Sequence, residues 1–248
     1  MKILVCISHV PDTTSKINFT ENDTKFDTNG VQYVINPNDE FGLTRAMWFK
    51  EKQGASVDVV NVGGKETEPT LRKALAIGAD NAIRVDVEAK DGFQVAKELA
   101  KVVKDGGYDL VIAGRESIDY NGGMVPGMLA ELTDANFVTN CISLEIDGSN
   151  AKAVREIDGG KETVSTSLPL VIAGQKGLVE ENDLRIPNMR GIMTARTKPL
   201  NVVEAASAET ETSSLSFEKP APKGAVKLVD ADNLDELVNL LHNEAKVI

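Results

Sequence analysis

Short apolar runs rich in β-branched residues alternate with stretches of helical periodicity through the first half of the chain. Residues 3–7, 56–62, 81–85 and 108–113 each read as a strand. Their near-continuous apolar character is that of strands covered on both faces. Between them, residues 40–52 line up Leu43, Ala46 and Met47, residues 66–77 line up Leu71, Ala74 and Leu75, and residues 93–103 line up Phe93, Ala96, Ala100 and Val103. Asp39 stands where a helix cap belongs, Gly78 and Gly106-Gly107 stand where helices stop, and a further helix is predicted over 123–132. Strands separated by helices of about 10–15 residues pair in parallel through right-handed crossovers. The expected fold is α/β, a doubly wound, mostly parallel sheet.

The second half changes character. Residues 137–146 and 151–157 read as strands joined by the turn Asp147-Gly148-Ser149-Asn150. A Gly159-Gly160 turn leads to residues 162–168, and 170–173 continue extended, so an antiparallel meander is expected beside the parallel sheet. The polar insert 12–34 predicts a small hairpin outside the sheet, and no internal repeat is evident. Residues 205–223, rich in Ala, Ser, Thr, Glu and Pro, read as a linker or extended arm. Leu234, Leu237, Val238 and Leu241 place a short amphipathic helix over 233–245. Two regions result: an α/β domain over 1–204, and an arm ending in a helix over 205–248.

A net charge of −11 argues against a nucleic-acid binder and against anionic membrane surfaces, both of which call for a basic face. No run of about 18 apolar residues is present, so no membrane span is expected. The opening MKILVCISHV has too short an apolar run for a signal peptide, lacks a small-residue cleavage site, and reads as a first buried strand. Cys6 and Cys141 do not make a disulfide framework, which fits a cytoplasmic location, and the scattered Cys6, Cys141, His9 and His242 suggest no metal site.

Open α/β sheets bind ligands beyond the carboxyl ends of their strands, where strand order reverses. Four segments fall there: residues 6–9, Asn36-Pro37, residues 62–65, and AGRESIDYNGGMVPG over 113–127. In the last, Asn121-Gly122-Gly123 opens into a helix, whose unpaired amides and dipole favour a phosphate. Asp119 is placed to cap the turn or hold a ribose hydroxyl. A tight turn with an ordinary cap accounts for the same residues. The P-loop pattern and the GxSxG elbow are both absent. His9 reads as a strand-end residue and Cys6 as a core residue rather than a nucleophile. Residues 184–199, LRIPNMRGIMTARTKP, carry Arg185, Arg190, Arg196 and Lys198 with no acid, beside Ile186, Met189, Ile192 and Met193. That composition suits a binding surface, or a solvated loop with its apolar residues packed inward.

Several segments together resemble the beta subunits of electron-transfer flavoproteins. They are VREIDGGKE over 154–162 with Leu168-Pro169, PNMRGIMTA over 187–195 with Lys198-Pro199, Ile35-Asn36-Pro37 with Asp39-Glu40, RKALAIGAD over 72–80, and GRESID over 114–119. The resemblance runs through nearly the whole chain in order. It implies a Rossmann-like, adenine-nucleotide-binding domain in a heterodimer, whose alpha subunit holds FAD on a mobile domain. The implied role is a non-enzymatic carrier that takes electrons from dehydrogenases, such as acyl-CoA dehydrogenases, and passes them towards the respiratory chain. It implies a structural AMP on this subunit, or a second FAD in that position in bifurcating relatives. A stand-alone nucleotide-binding module is the other alternative. Nucleotide contacts carry over to Cys6, Asn36, Gly63, Asp119, Asn121, Gly122, Gly123, Met124 and Val125. Met124 replaces a family Gln and lacks its amide, which leaves the contact there to the backbone. Partner recognition carries over to Arg185, Ile186, Met189, Arg190, Ile192 and Arg196, with Met189 as the apolar anchor. Glu156 matches a family glutamate that positions the flavin domain, and the arm after residue 204 is expected to pack on the partner subunit.

Overall fold

The computed structural model of the chain describes residues 1–206 and 209–248. Strand β1 (Lys2–Cys6) is followed by β2 (His9–Pro11), β3 (Phe19–Thr20), β4 (Lys25–Phe26) and β5 (Tyr33–Ile35). β2 pairs with β5 and β3 with β4, both antiparallel and outside the main sheet, so the expected hairpin is present. The chain then runs through α1 (Pro37–Gln53), β6 (Ser56–Val62), α2 (Glu68–Ile77), β7 (Asn81–Asp86), α3 (Gly92–Gly106), β8 (Leu110–Gly114) and α4 (Val125–Leu132). Next come β9 (Asn136–Asp147), β10 (Asn150–Ile157), β11 (Gly160–Ser167), β12 (Leu170–Gly174), α5 (Met189–Ala195) and β13 (Leu200–Glu204). Last is α6 (Leu234–Asn239), continued by a π-helical turn over Leu240–Ala245.

The main sheet has the order β11-β10-β9-β12-β8-β1-β6-β7-β13 and is parallel from β9 to β13. Alternate side chains of β1 serve the two faces. Ile3 and Val5 join Phe41, Leu43, Leu71 and Leu75 of α1 and α2, while Leu4 and Cys6 join Leu99, Val103, Leu129 and Ala130 of α3 and α4. Each fully buried Leu or Ile contributes about 1.5–3 kcal/mol relative to exposure, so burial on both faces holds β1 at the centre. Helix ends follow local rules. Pro37 opens α1 and Gly54 closes it at φ 66°, Asp91 caps α3 by accepting from the Gln94 amide, and Gly107 ends α3 at φ 61°. No helix among the described residues is long and apolar enough to cross a membrane.

The structure corrects the sequence reading in several places. β9, β10 and β11 form the antiparallel meander, but β12 leaves it and inserts in parallel between β8 and β9. The reason is an internal repeat: β8 and β12 are both LVIAG, both fully buried, and pair residue for residue from Leu110↔Leu170 to Gly114↔Gly174. A run that is apolar on both faces belongs inside a sheet, not on a half-exposed meander. β13 adds an unforeseen parallel edge strand on β7. Residues 189–195 are helix rather than loop, because Asn188 caps the Gly191 amide at 2.7 Å. The helix expected at 123–132 starts at Val125, with Pro126 in its first turn, and the 66–77 helix begins with a 3₁₀ turn over Lys65–Thr67. The C-terminal helix is regular only over 234–239, and its apolar residues are exposed. Residues 207 and 208 of the expected linker lie outside the described residues.

α5 is fastened to α2 by backbone contacts. Arg72 Nη1 donates to the carbonyls of Ala195 (2.8 Å) and Lys198 (2.7 Å), and Lys198 Nζ donates to those of Leu75 (3.0 Å) and Ala79 (2.6 Å). At Gly191 the helices touch, since a Cβ there would lie 2.2 Å from the Ala76 carbonyl oxygen. Gly191→Ala should therefore destabilise the protein by about 1–3 kcal/mol, the usual cost of overpacking. Urea denaturation reads this, and an unchanged midpoint would refute the close contact.

Candidate functional site

Strand order reverses between β1, which leads through α1 to β6, and β8, which the chain reaches by crossing back through α3. The two loops diverge there, the place where open α/β sheets take ligands. Pro37 sets the start of α1 so that Asp39 falls in its first turn. The buried Asp39 carboxylate bridges the two loops: Oδ2 accepts from the Ser8 amide (2.7 Å), just past β1, and Oδ1 accepts from the Gly114 amide (2.8 Å), at the end of β8. Gly114 has no room for a side chain, because a Cβ would lie 2.3 Å from Asp39 Oδ1 and 3.0 Å from Asn36 Nδ2. Burial raises the Asp39 pKa from 3.8 to about 7, against the opposing pull of hydrogen bonds from Ser8, Asn36 and Gly114.

Asn36 and Asn38 tie the next loop to this point. Both side-chain amides donate to the Glu116 carbonyl, at 2.9 and 3.2 Å, and the Ile118 amide donates to Asn36 Oδ1 at 3.3 Å. Asn36 therefore spends its side chain on the loop rather than on capping α1. Beyond it, the Ser117 amide donates to the Gly122 carbonyl (3.4 Å), Asp119 Oδ1 accepts from the Tyr120 amide (2.9 Å), and Asn121 adopts a left-handed φ of 49°. Gly122 is half-buried and Gly123 exposed, and α4 then starts with no side-chain cap. The Met124 side chain lies against Gly92 at the head of α3.

Gly63 forms the third side of the rim. Its amide donates to the Val85 carbonyl and its carbonyl accepts from buried Arg84, each at 3.0 Å. Asn61 Nδ2 donates to the Ile7 carbonyl at 2.8 Å, while its buried Oδ1 has no partner among the described residues and faces Gly63. The Cys6 thiol packs into the α3–α4 core, where desolvation pushes its pKa far above the ordinary thiol range and makes it inert. His9 bonds Thr70 through Nδ1 (2.8 Å) and stacks on Tyr33 at 4.2 Å. Burial lowers its pKa, against the raising influence of Glu66 and Asp119.

Cys6, Asn36, Gly63 and the 119–125 turn thus belong to elements that share one rim. Asp39 was expected as a helix cap and as part of the family resemblance, not as the bridge between the loops, and Asn38, Asn61 and Arg84 were not foreseen. A polar Asn61 or Arg84 within an apolar strand was the available signal. A separate cleft of about 580 Å³ under α3, lined by Asp58, Tyr108 and Asn201 among others, contains none of the sequence-predicted residues.

The remaining candidates lie apart. Glu156 is exposed near the end of β10 and accepts from Gln175 Nε2. On α5 and its approach, Met189 is 76% exposed and Ile186 82%, and Ile192 and Met193 are exposed too. Their apolar surface faces outward. Arg185 pairs with Glu51 through both carboxylate oxygens, at 2.9 and 2.7 Å, and Arg190 and Arg196 are exposed.

Residues 23–208 match the electron transfer flavoprotein domain family. Over its full length the chain is 36% identical to the whole of the electron transfer flavoprotein subunit beta of Bacillus subtilis. The chain belongs to the electron transfer flavoprotein beta-subunit family. It is likewise 33% identical to the subunit beta of Bradyrhizobium diazoefficiens across both full lengths, and 32% identical to that of Bos taurus over 94% of this chain and 95% of the relative. Family membership supports a general electron-transfer role and leaves the chemistry of the rim to the residues themselves.

Asp39 supplies a titration test. With a raised folded-state pKa, its contribution to stability is full below the unfolded value near 3.8 and is lost as pH rises through about 7. In Asp39→Asn nothing titrates, and the amide Nδ2 meets a backbone N–H, donor against donor. The variant should be less stable than wild type at pH 5, with a gap that narrows by pH 8. Paired urea denaturations would measure it, and a pH-independent gap would refute the assignment.

Proposed function

We propose that this chain is the beta subunit of a heterodimeric electron-transfer flavoprotein, holding one AMP in the β1–β8 crevice as a structural ligand. The carrying observation is the preformed rim, where Asp39, Asn36 and Asn38 fix the loop that presents the uncapped amides at the start of α4. Those amides and the positive end of the α4 dipole suit a phosphate. The orphaned Asn61 oxygen beside Gly63 is an acceptor that fits a donor on the base or sugar. Cys6, Asn36, Gly63 and the 119–125 turn would hold the nucleotide chiefly through backbone contacts, since Met124 is turned onto Gly92.

The redox chemistry is supplied by the FAD of the alpha subunit when bound. This chain's part is to bind and position. The exposed apolar helix with Met189 at its head is read as the docking point for donor dehydrogenases, such as acyl-CoA dehydrogenases, before electrons pass on towards the respiratory chain. An apolar anchor in a basic rim suits a transient contact in an otherwise acidic chain. The arm is tied at its root, where Ala206 bonds Glu98 at 2.6 Å and Phe217 stacks on Phe19 at 4.9 Å. Beyond that, Val226, Leu228, Leu234 and Val238 are exposed, an apolar face that packing on the alpha subunit would cover.

Ligand release from the purified heterodimer tests the reading. One FAD and one AMP per pair are expected. Two FAD with NADH oxidation would replace AMP by a second flavin in the same crevice, and a flavin-free chain that ignores the alpha subunit would overturn both. Met189→Ala should slow electron delivery from a dehydrogenase while leaving flavin content unchanged and stability within about 0.5 kcal/mol, as for other exposed positions. Unaltered transfer rates would remove Met189 as the anchor.

A further inference from the structure

β9 carries one residue too many for both its neighbours. Val154 and Arg155 of β10 oppose Ser143 and Cys141, and Ile172 and Gly174 of β12 oppose Val138 and Cys141. The irregularity facing β12 includes Asn140 at φ 51°, whose side chain donates to the Glu156 carbonyl at 3.3 Å. It also lets the Gln175 amide, just past β12, donate to the Cys141 carbonyl at 3.2 Å. The ends of β10 and β12 are thereby drawn together.

Gln175 is only 7% exposed, and both ends of its side chain are engaged. Nε2 donates to the Glu156 carboxylate, and Oε1 accepts from Arg115 Nη1 at 3.3 Å. A carboxylate on one side and a guanidinium on the other allow only one orientation, since the flipped amide would set acceptor against acceptor and donor against donor. Arg115 goes on through Nη2 to the Glu116 carboxylate, and its amide donates to the Gly174 carbonyl at 2.7 Å. Its buried Nε has no partner among the described residues. Glu116 in turn offers the carbonyl that Asn36 and Asn38 both hold. An unbroken polar chain therefore runs from the crevice rim to the exposed carboxylate of Glu156.

We propose that Gln175 and Arg115 are positioning residues that couple occupancy of the nucleotide crevice to the setting of the Glu156 carboxylate, and through it to the resting position of the flavin domain. The inference rests on the nucleotide reading given under the proposed function and on the family resemblance that assigns Glu156 to positioning the flavin domain. Arg115 begins the loop that ends at the α4 amides, so a ligand that orders the loop also fixes the guanidinium. The guanidinium then fixes the amide that holds Glu156. Coupling of this kind is reciprocal: if AMP biases the setting of Glu156, that setting biases AMP affinity by the same factor, so a change at Glu156 reaches AMP binding.

The test is a double-mutant cycle in the full heterodimer, stripped of nucleotide and titrated with AMP by calorimetry. Glu156→Ala should change AMP affinity by about fivefold or more, the lower end of ordinary allosteric coupling. In a Gln175→Met background, which keeps the volume and removes both polar atoms, Glu156→Ala should change it less than about twofold. AMP should also shift the flavin fluorescence of the wild type and leave that of Gln175→Met unmoved, a difference that loss of packing alone would not produce. Should Gln175→Met fail to assemble, Arg115→Lys, which keeps the charge and loses the fork, takes its place. Equal effects of Glu156→Ala in both backgrounds, or none in either, would overturn the relay while leaving the nucleotide reading intact. A wild-type heterodimer that binds no AMP would overturn the nucleotide reading, and the relay with it.

Discussion

Asp39 bonds the amides of Ser8 and Gly114, and the carboxyl rim takes its arrangement from that pair of contacts. Where strand order reverses, the loops after β1 and β8 leave in opposite directions, and no further strand can satisfy the amides at their roots. Buried backbone donors need a partner. A carboxylate entering from the first turn of α1 satisfies both at once, and it sits where the helix dipole favours negative charge. The rest follows in order. Pro37 sets the turn that delivers Asp39, Gly114 gives up its side chain to admit it, and Asn36 and Asn38, on either side of Pro37, reach past it to hold Glu116.

This arrangement sets desolvation against hydrogen bonding. Burial lifts the Asp39 pKa towards neutrality, and the amides pull it down without prevailing. An acid in that balance is a poor source of stability and a strong source of geometry, because moving the carboxylate strands two backbone donors together. The same holds for Arg84, which is buried with Glu68 and Asp86 as partners and shapes Gly63 through its carbonyl. Removing one partner of such a buried group would strand a charge or a donor, which ties the local arrangement to the pairing.

The parallel core was legible in the sequence because its signals are local: β-branched runs of strand length, helical spacing between them, and glycines at the stops. What escaped depends on distant partners. β12 reads as a continuation of the meander until its identity with β8 is noticed; a run apolar on both faces belongs inside the sheet, and it lies there beside β8. β13 and α5 are short, and their positions come from Arg72 and Lys198 reaching backbone carbonyls across more than a hundred residues. Of the rim, the glycines and Asn36 were legible through helix-start chemistry. Asn61, Arg84 and Gln175 were not, because a polar residue within or beside an apolar strand reveals its partner only once the sheet is assembled.

The distribution of unsatisfied surface completes the physical picture. Among the described residues, the buried side-chain N and O atoms without a partner are Arg45 Nε, Asn61 Oδ1 and Arg115 Nε. Outside, apolar exposure gathers at α5 and along the arm, two places of opposite build. α5 is a seven-residue helix clamped to α2, a rigid and small apolar face. Among the described residues the long arm is held by Glu98 and Asp91 near its root, and at the β3–β4 hairpin by the Phe19–Phe217 stack and the Lys219–Asn18 hydrogen bond. A small rigid surface costs little ordering entropy and releases quickly, as a transient partner requires. A long arm loses much entropy on docking and recovers it only over a large area, which suits a contact made once. The hairpin insert fixes where the arm leaves the domain, since Phe217 stacks on Phe19 and the apolar Val226 and Leu228 beyond it are exposed.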